Sequence, residues 1–165
     1  MKIRHITAKD RVIIYDILQH LESLSPPEIE AAMVHMDAYL FGNEQHRYRA
    51  VLAETDQHEI AGYACYAADR FTKDIFYIYT LVASPLYSQQ QLPELLLQHI
   101  ETDIHRHHGS LVIVTLSSEN RHAELREFLL GQQFQAAPGI KDFYGNGIDR
   151  LFLVHYLKKD DVTEG

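Results

Sequence analysis

A chain of 165 residues has the length of one ordinary domain, and its 46% apolar and 23% charged residues are typical of a globular protein. The formal net charge of −8 argues against nucleic-acid binding, because proteins that bind nucleic acid present a basic face. No apolar run reaches the ~20 residues of a membrane-spanning helix, and the first residues carry no signal-peptide core. We therefore expect a cytoplasmic protein without a membrane partner.

Cys65 is the single cysteine, which excludes an internal disulfide and a cysteine-based metal framework. It lies in a strand-like run, residues 62–67, where a cysteine behaves as a small buried apolar residue. The alternative is an acyl-accepting nucleophile. That role requires a nearby base, and the local sequence does not offer one.

The first third of the chain predicts one strand and two helices. Residues 2–7 alternate as a strand does, and Asp10 can cap the helix that follows. Ser25, two prolines and Glu28 form the start signal of a second helix, with Glu28 at the capping-box position. Gly42 is expected to end that helix.

The middle of the chain predicts three strands and a helix. Residues 48–54 and 59–68 are strand-like runs joined by a short polar turn, which indicates a hairpin. Residues 74–83 form a third run, rich in aromatic and β-branched side chains. A helical stripe then begins at Pro93 and ends at Gly109.

The last third predicts a strand, a helix and two further strands. Residues 111–116 are almost wholly apolar, which is typical of a central strand buried on both faces. Ser118 can cap the last helix. Residues 134–136 are expected to form a short strand, residues 138–147 a glycine-containing loop, and residues 151–157 the closing strand.

The element order is therefore β-α-α-β-β-β-α-β-α-β-β, without repeats or an interior linker. This order predicts the α+β class: one mixed sheet with helices on both faces, as α/β/α layers. We expect a single domain over residues 1–157 and a charged C-terminal tail over residues 158–165.

This order and five local segments resemble the GNAT superfamily of acetyl-CoA-dependent N-acetyltransferases. The resemblance covers nearly the whole chain, and it implies a mostly antiparallel sheet of six to seven strands. The segments are residues 4–10, 59–64, 79–87, 118–123 (followed by Phe128 and Phe134) and 141–150.

The resemblance implies acetyl-CoA as co-substrate and a place for it. In this family the fourth and fifth strands part at a bulge, and the pantetheine arm pairs with free backbone groups of the fourth strand. Here those groups belong to Leu81, Val82 and Ala83, and the N–H of Val82 or a neighbour would face the developing oxyanion. The pyrophosphate lies over the start of the next helix, where the helix dipole favours anions.

The turn that holds the pyrophosphate departs from the family pattern, which has Arg or Gln, two residues, Gly, one residue, then Gly or Ala. Either the turn is only a polar helix start, or free N–H groups and glutamine amides still bind phosphate. Asn120 matches a position that often contacts the cofactor arm, and it equally suits the first turn of its helix. The residues aligned on the turn are Ser88, Gln89, Gln90, Gln91, Leu92 and Pro93.

The family's usual proton donor is also missing. Leu129 occupies the position of the tyrosine that protonates the departing thiolate, and Gln133 replaces a glycine. Tyr144 is the first candidate to substitute, with packing of its loop as the alternative. No carboxylate lies on the fourth strand after Asp74, so we expect Tyr79 to hold a water that removes the amine proton. Its alternative role is that of an aromatic residue on the sheet face.

Histidines crowd the end of the third helix, and no metal site is expected there. His105 and His108 are spaced to share a metal, but no carboxylate pair completes a site, and histidines near a helix C-terminus are favoured by the dipole alone. Tyr39, Phe41, Tyr48 and the loop of residues 69–74 could line an acceptor pocket. The four histidines are His99, His105, His107 and His108.

The sequence thus predicts an N-acetyltransferase that moves an acetyl group from acetyl-CoA to a primary amine of a small molecule, a diamine or an amino-acid-like acceptor. The alternative is a catalytically inactive GNAT-fold domain that binds a ligand or a protein, since fold alone does not settle function. A homodimer is the default oligomer.

Overall fold

The computed structural model describes residues 1–43, 47–87 and 91–158. Seven strands and four helices follow the predicted order, and three short 3₁₀ turns lie between them, at Ala8–Asp10, Pro85–Tyr87 and Asn120–His122. The elements are β1 (Lys2–His5), α1 (Arg11–Gln19), α2 (Pro26–Phe41), β2 (Tyr48–Glu54), β3 (Ile60–Ala68), β4 (Ile75–Ala83), α3 (Leu92–Arg106), β5 (Leu111–Ser117), α4 (Ala123–Gly131), β6 (Gln135–Ile140) and β7 (Arg150–Tyr156).

One seven-stranded sheet organises the molecule, with the spatial order β1-β2-β3-β4-β5-β7-β6. Every neighbouring pair is antiparallel except β4 and β5, which are parallel. Helix α3 supplies the crossover that a parallel pair requires. The predicted α+β class and the mostly antiparallel sheet are confirmed.

Two hydrophobic cores, one on each face of the sheet, produce the layered architecture. On one face, α1 and α2 bury Ile14, Leu18 and Met36 against the first strands. On the other face, α3 and α4 bury a stripe that includes Leu96 and Leu129. The helices therefore lie on both faces, as predicted. In the described part of the chain, no helix has the length and apolarity that a bilayer crossing demands.

The start of α2 follows the predicted capping box. Ser25 is the N-cap, and its backbone N–H donates to Oε2 of Glu28 at 2.7 Å. Gly42 follows the last helical residue, as expected. Asp10 is the N-cap residue of α1, as predicted, but its carboxylate makes no cap hydrogen bond to the helix. It accepts from Arg4 and from the N–H of Thr7, so it stabilises the preceding turn.

Three predictions near the chain's end are corrected. Ser118 does not cap α4, because its Oγ accepts the N–H of Asp149 at 2.8 Å and a 3₁₀ turn separates it from the helix. Strand β5 is not buried on both faces: Leu111, Ile113 and Thr115 are only half-buried. The sixth strand runs to Ile140 and takes in the start of the predicted loop, because it pairs with β7 at the sheet edge.

Candidate active site

The parallel strands β4 and β5 pair only at their beginnings. Their register joins Ile75 to Leu111, Phe76 to Val112 and Tyr77 to Ile113, and it ends there. From this point β4 continues for six residues and β5 for four without pairing to each other. The described strands therefore diverge into a V-shaped opening in the middle of the sheet.

A bulge in β4 lies at the point of divergence. In the ladder with β3, Cys65 pairs with Thr80 and Tyr66 with Ile78, so Tyr79 has no partner residue across the ladder. A bulge bends its strand and shifts the side-chain alternation by one. Ile78 and Leu81 consequently both face the α3 core, while Val82 faces the α1–α2 core.

The β4 edge of the opening has backbone groups available for a ligand. The N–H of Ser84 donates to the carbonyl of Ala61 at 2.7 Å, toward β3. Because N–H groups alternate between the two edges of a strand, Val82 also faces β3, whereas Leu81 and Ala83 face the opening. The expected oxyanion donor was the N–H of Val82 or a neighbour, and this alternation favours the neighbours. Leu81 and Ala83 are the residues whose N–H groups are directed there.

The β5 edge is partly closed by a histidine. The N–H of Ser118 donates at 3.0 Å to the carbonyl of Asp149, which immediately precedes β7, so alternation directs the N–H of Ser117 to the opposite edge. There it donates to Nδ1 of His122 at 3.2 Å. The imidazole of His122 therefore lies at the edge of the opening, and its Nε2 is 2.8 Å from Oε1 of Glu28 on α2.

Helix α2 places a second histidine over the bulge. The ring of His35 stacks on Tyr79 with centroids 4.1 Å apart, and Tyr48 lies 5.9 Å from His35. Burial and the positive charge of Arg47 lower the pKa of His35, so its imidazole is neutral at pH 7. Its buried Nδ1 has no hydrogen-bond partner among the described residues. A neutral histidine with an unused buried nitrogen is suited to accept a proton.

Two residues of α2 contact the two sides of the opening. Glu28 and His35 are seven residues apart, which puts them on one face of the helix and about 10 Å apart along its axis. Glu28 contacts the residues that follow β5, and His35 contacts β4. Helix α2 therefore crosses the opening.

Two tyrosines of β4 lie on this face of the sheet. The rings of Tyr77 and Tyr79 are 5.9 Å apart and nearly parallel, so the two side chains point together. Tyr79 is 39% exposed, and burial raises its pKa, so its phenol stays protonated at neutral pH. Of the residues expected in an acceptor pocket, Tyr48 joins this cluster. Tyr39 instead stacks on His5, the last residue of β1, with ring centroids 6.3 Å apart.

The resemblance places the pyrophosphate at the start of α3. Ser88, Gln89 and Gln90 lie outside the described residues. Gln91 is the N-cap and has φ +52°, the left-handed region that favours glycine. The helix begins at Leu92, one residue earlier than predicted, and its side chain is fully buried in the α3 core, so only its N–H can reach a ligand. Pro93 has no N–H, and Glu94 adds a negative charge to the first turn.

The remaining predicted residues are more dispersed. Asn120 is exposed in the 3₁₀ turn between β5 and α4. Tyr144 is 50% exposed in the loop between β6 and β7. Its ring makes an edge-to-face contact with Phe143, with ring centroids 4.8 Å apart. Leu129 is fully buried in the core, so the family's tyrosine position offers no acid.

Cys65 does not serve as a nucleophile. It is fully buried, and burial raises the pKa of its thiol to about 12, so the reactive thiolate does not form at neutral pH. Asp74 lies at the paired end of β4, where its carboxylate accepts from Ser110 at 2.9 Å, away from the divergence. Within the described ranges, no group of three or more histidine, cysteine or acidic side chains is arranged to hold a metal ion.

Sequence reasoning missed His35, Glu28 and His122 as site residues. His35 lies within an apolar helical stripe, Glu28 already explained a capping box, and His122 follows Arg121 in a polar turn. The one usable signal was the spacing of Glu28 and His35, which puts two titratable groups on one face of a helix.

Comparison with known proteins agrees with this geometry. A family model described as the acetyltransferase (GNAT) family matches residues 14–128, more than half of the chain. Comparison with curated proteins finds no match. A crystal structure of a protein assigned to the GNAT acetyltransferases, from Desulfovibrio desulfuricans, has a TM-score of 0.86 at 24% identity, covering 94% of this chain and 98% of that one.

Two ligand-bound structures share the fold at lower identity. The yncA protein of Salmonella typhimurium, solved with acetyl-CoA, has a TM-score of 0.72 at 14% identity and covers 97% of this chain and 95% of its own. An aminoglycoside 6′-N-acetyltransferase complexed with coenzyme A has a TM-score of 0.71 at 15% identity, with 94% and 97% covered.

Proposed function

Since the chain belongs to the GNAT family of acetyltransferases, we propose that it transfers the acetyl group of acetyl-CoA to the primary amine of a small molecule. The single observation that supports this most strongly is the divergence of β4 and β5 beyond Tyr77 and Ile113. Among the described residues, β4 and β5 do not pair with each other beyond this point, so their facing backbone groups can pair with a ligand.

The opening has the right chemistry for a pantetheine chain. The N–H and C=O groups of Leu81 and Ala83 can pair with its amides, as an added strand would. The turn at Gln91 and the N–H groups of Leu92 and Glu94 provide a helix N-terminus for the pyrophosphate. Residues 88–90 and Asn120 complete the proposed cofactor contacts.

The acceptor amine is proposed to enter from the α2 side. The co-substrate supplies an activated thioester, and the protein must remove a proton from the ammonium and orient the nitrogen. The neutral imidazole of His35 takes that proton. The ring of Tyr79 stacks on His35, and its phenol oxygen holds the amine, or a water that links the amine to the imidazole. An N–H of Leu81 or Ala83 stabilises the oxyanion.

Ligand-induced stabilisation tests the cofactor half of this proposal. A ligand at a hundredfold excess over its dissociation constant stabilises a protein by about 2.7 kcal/mol. For a domain of this size we expect acetyl-CoA and CoA at millimolar concentration to raise the melting temperature by about 5–10 °C.

Thiol release tests the acceptor half. Diamines, amino acids and, for comparison, an amino sugar are each supplied with acetyl-CoA, and the CoA thiol formed per enzyme is measured. We expect release with at least one amine class. No thermal shift together with no release from any amine would favour the inactive, ligand-binding alternative, which the non-glycine turn at Gln91 and Pro93 supports.

A further inference from the structure

Three buried or half-buried side chains form a hydrogen-bonded chain at the β5 edge of the opening. Oγ of Ser117 is 2.8 Å from Nδ1 of His122, and Nε2 of the same ring is 2.8 Å from Oε1 of Glu28. Ser117 and His122 are 5% and 6% exposed. The order hydroxyl, imidazole, carboxylate is one that enzymes use to move protons.

The backbone determines which nitrogen of His122 carries the proton. The N–H of Ser117 donates to Nδ1, which makes this nitrogen the acceptor. Nε2 then carries the hydrogen and directs it to Oε1 of Glu28, although Nη1 of Arg121 also lies 3.0 Å from Nε2. Arg121 and the N–H of Ser25 also donate to Glu28. Burial would raise the pKa of Glu28, but these hydrogen bonds outweigh it and lower the pKa to about 2. Glu28 is therefore a carboxylate at neutral pH.

The hydroxyl of Ser117 is not needed to hold His122 in place, because the backbone N–H already satisfies Nδ1. It also lies 2.9 Å from Oε2 of Glu119. Arg121 binds that carboxylate at 2.7 Å, so Oε2 of Glu119 already has a charged partner, whereas Oγ of Ser117 is closer to Nδ1 of His122, at 2.8 Å. The Ser117 side chain faces α2, because Leu116 before it faces the opposite core.

We propose that Ser117 and His122 shuttle a proton from the acceptor amine to the sulfur of the leaving thiol, with Glu28 stabilising the charge that His122 gains. This proposal rests on the proposed function. His35 takes the proton of the ammonium before attack, so the attacking nitrogen is a neutral amine. As this nitrogen bonds to the acetyl carbon, one of its two remaining protons passes to Oγ of Ser117 and the serine proton passes to Nδ1. When the C–S bond breaks, both protons move back in sequence, and the sulfur leaves as a thiol with the enzyme unchanged.

The shuttle supplies the proton donor that Leu129 cannot provide. The family's tyrosine would protonate the thiolate directly, whereas Leu129 is buried and apolar. Tyr144 is the rival donor. Its ring contacts Phe143 in an exposed loop, while Ser117 lies on a strand that borders the opening.

Ser117→Ala tests the shuttle. We expect kcat to fall about a hundredfold, the usual contribution of a positioned acid–base group, while the KM for the amine and the thermal shift with CoA stay at wild-type values. Ser110→Ala is the matched control, because its hydroxyl lies at the other end of β5, against Asp74. An independent readout is the ¹⁵N NMR spectrum of His122, which should show hydrogen on Nε2 and none on Nδ1.

Each contrary outcome is decisive. A wild-type rate in Ser117→Ala, a hydrogen on Nδ1, or a loss of rate in Tyr144→Phe but not in Ser117→Ala would overturn the shuttle. If Ser117→Ala does not fold, Glu28→Gln replaces it. This variant keeps a hydrogen-bonding side chain without the charge and should lower kcat about tenfold, so an unchanged kcat would also contradict the shuttle. If the wild-type enzyme releases no thiol, the proposed function is wrong, and the NMR result for His122 does not depend on that outcome.

Discussion

The opening between β4 and β5 has two proposed ends, an acceptor end under α2 and a phosphate end at the start of α3. At the acceptor end, side chains are held by specific contacts: His35 stacks on Tyr79, and His122 is fixed between Ser117 and Glu28. At the phosphate end, a glutamine adopts a glycine-like backbone and a proline removes an N–H group.

This difference indicates which part of the reaction relies on side chains. Catalytic groups must be oriented individually, so the acceptor end requires particular residues. Phosphate recognition uses backbone N–H groups and a helix dipole, which many sequences can supply. The chain can thus depart from the family pattern at the phosphate end while its strand geometry stays intact.

The largest effect is expected at the acceptor end. His35→Gln keeps a polar side chain against Tyr79 but removes the proton acceptor, so kcat/KM should fall about a hundredfold. In the wild-type protein, NMR titration of His35 should give a pKa below the ordinary value of 6.5, because burial and Arg47 disfavour the charged form. The group is therefore a base above that pKa and loses this role as the pH falls through it.

His20→Gln is the matched control for this substitution. His20 is an exposed helix-terminal histidine on α1, and its ring contacts only Asp16 among the described side chains. Full activity in His35→Gln, or an equal loss in both variants, would show that the acceptor end does not depend on an imidazole.

The sequence allowed the element order to be predicted because each boundary has a local signal, such as the capping box at Ser25 or the stop at Gly42. The site required contacts between distant residues. Glu28 and His122 are 94 positions apart, and no local pattern pairs them. The bulge at Tyr79 was also invisible, since it is a property of the pairing with β3 and not of the β4 sequence alone.

A middle-sized effect is expected at the phosphate end from Gln91→Gly. The left-handed backbone costs a non-glycine residue roughly 1–2 kcal/mol, and glycine removes that cost. Glycine also loses more conformational entropy on folding, which offsets about 0.5–1 kcal/mol of the gain in stability. The net gain is up to about 1.5 kcal/mol, so we expect the melting temperature to rise by up to about 6 °C. CoA should bind a few-fold tighter, because backbone and phosphate can approach more closely.

Gln133→Gly separates those two consequences. Gln133 also has positive φ, at +70°, but it follows α4 on another part of the molecule. It should gain the same stability without any change in CoA affinity, measured by calorimetry. Equal affinities in wild type and Gln91→Gly would mean that this turn does not approach the phosphates.

The smallest effect is expected from Glu94→Gln, in the first turn of α3. The glutamate interacts favourably with the helix dipole, so its loss should cost about 0.3–1 kcal/mol of stability. The same charge repels a pyrophosphate bound at that helix start, so CoA should bind about twofold tighter at low salt and equally at high salt, where exposed charges are screened.

Glu124→Gln removes the corresponding first-turn charge of α4 and should show only the loss of stability. Opposite signs for affinity and stability in Glu94→Gln, with stability alone altered in Glu124→Gln, would locate the pyrophosphate at α3. Parallel behaviour of the two variants would place it elsewhere and remove the phosphate end from the opening.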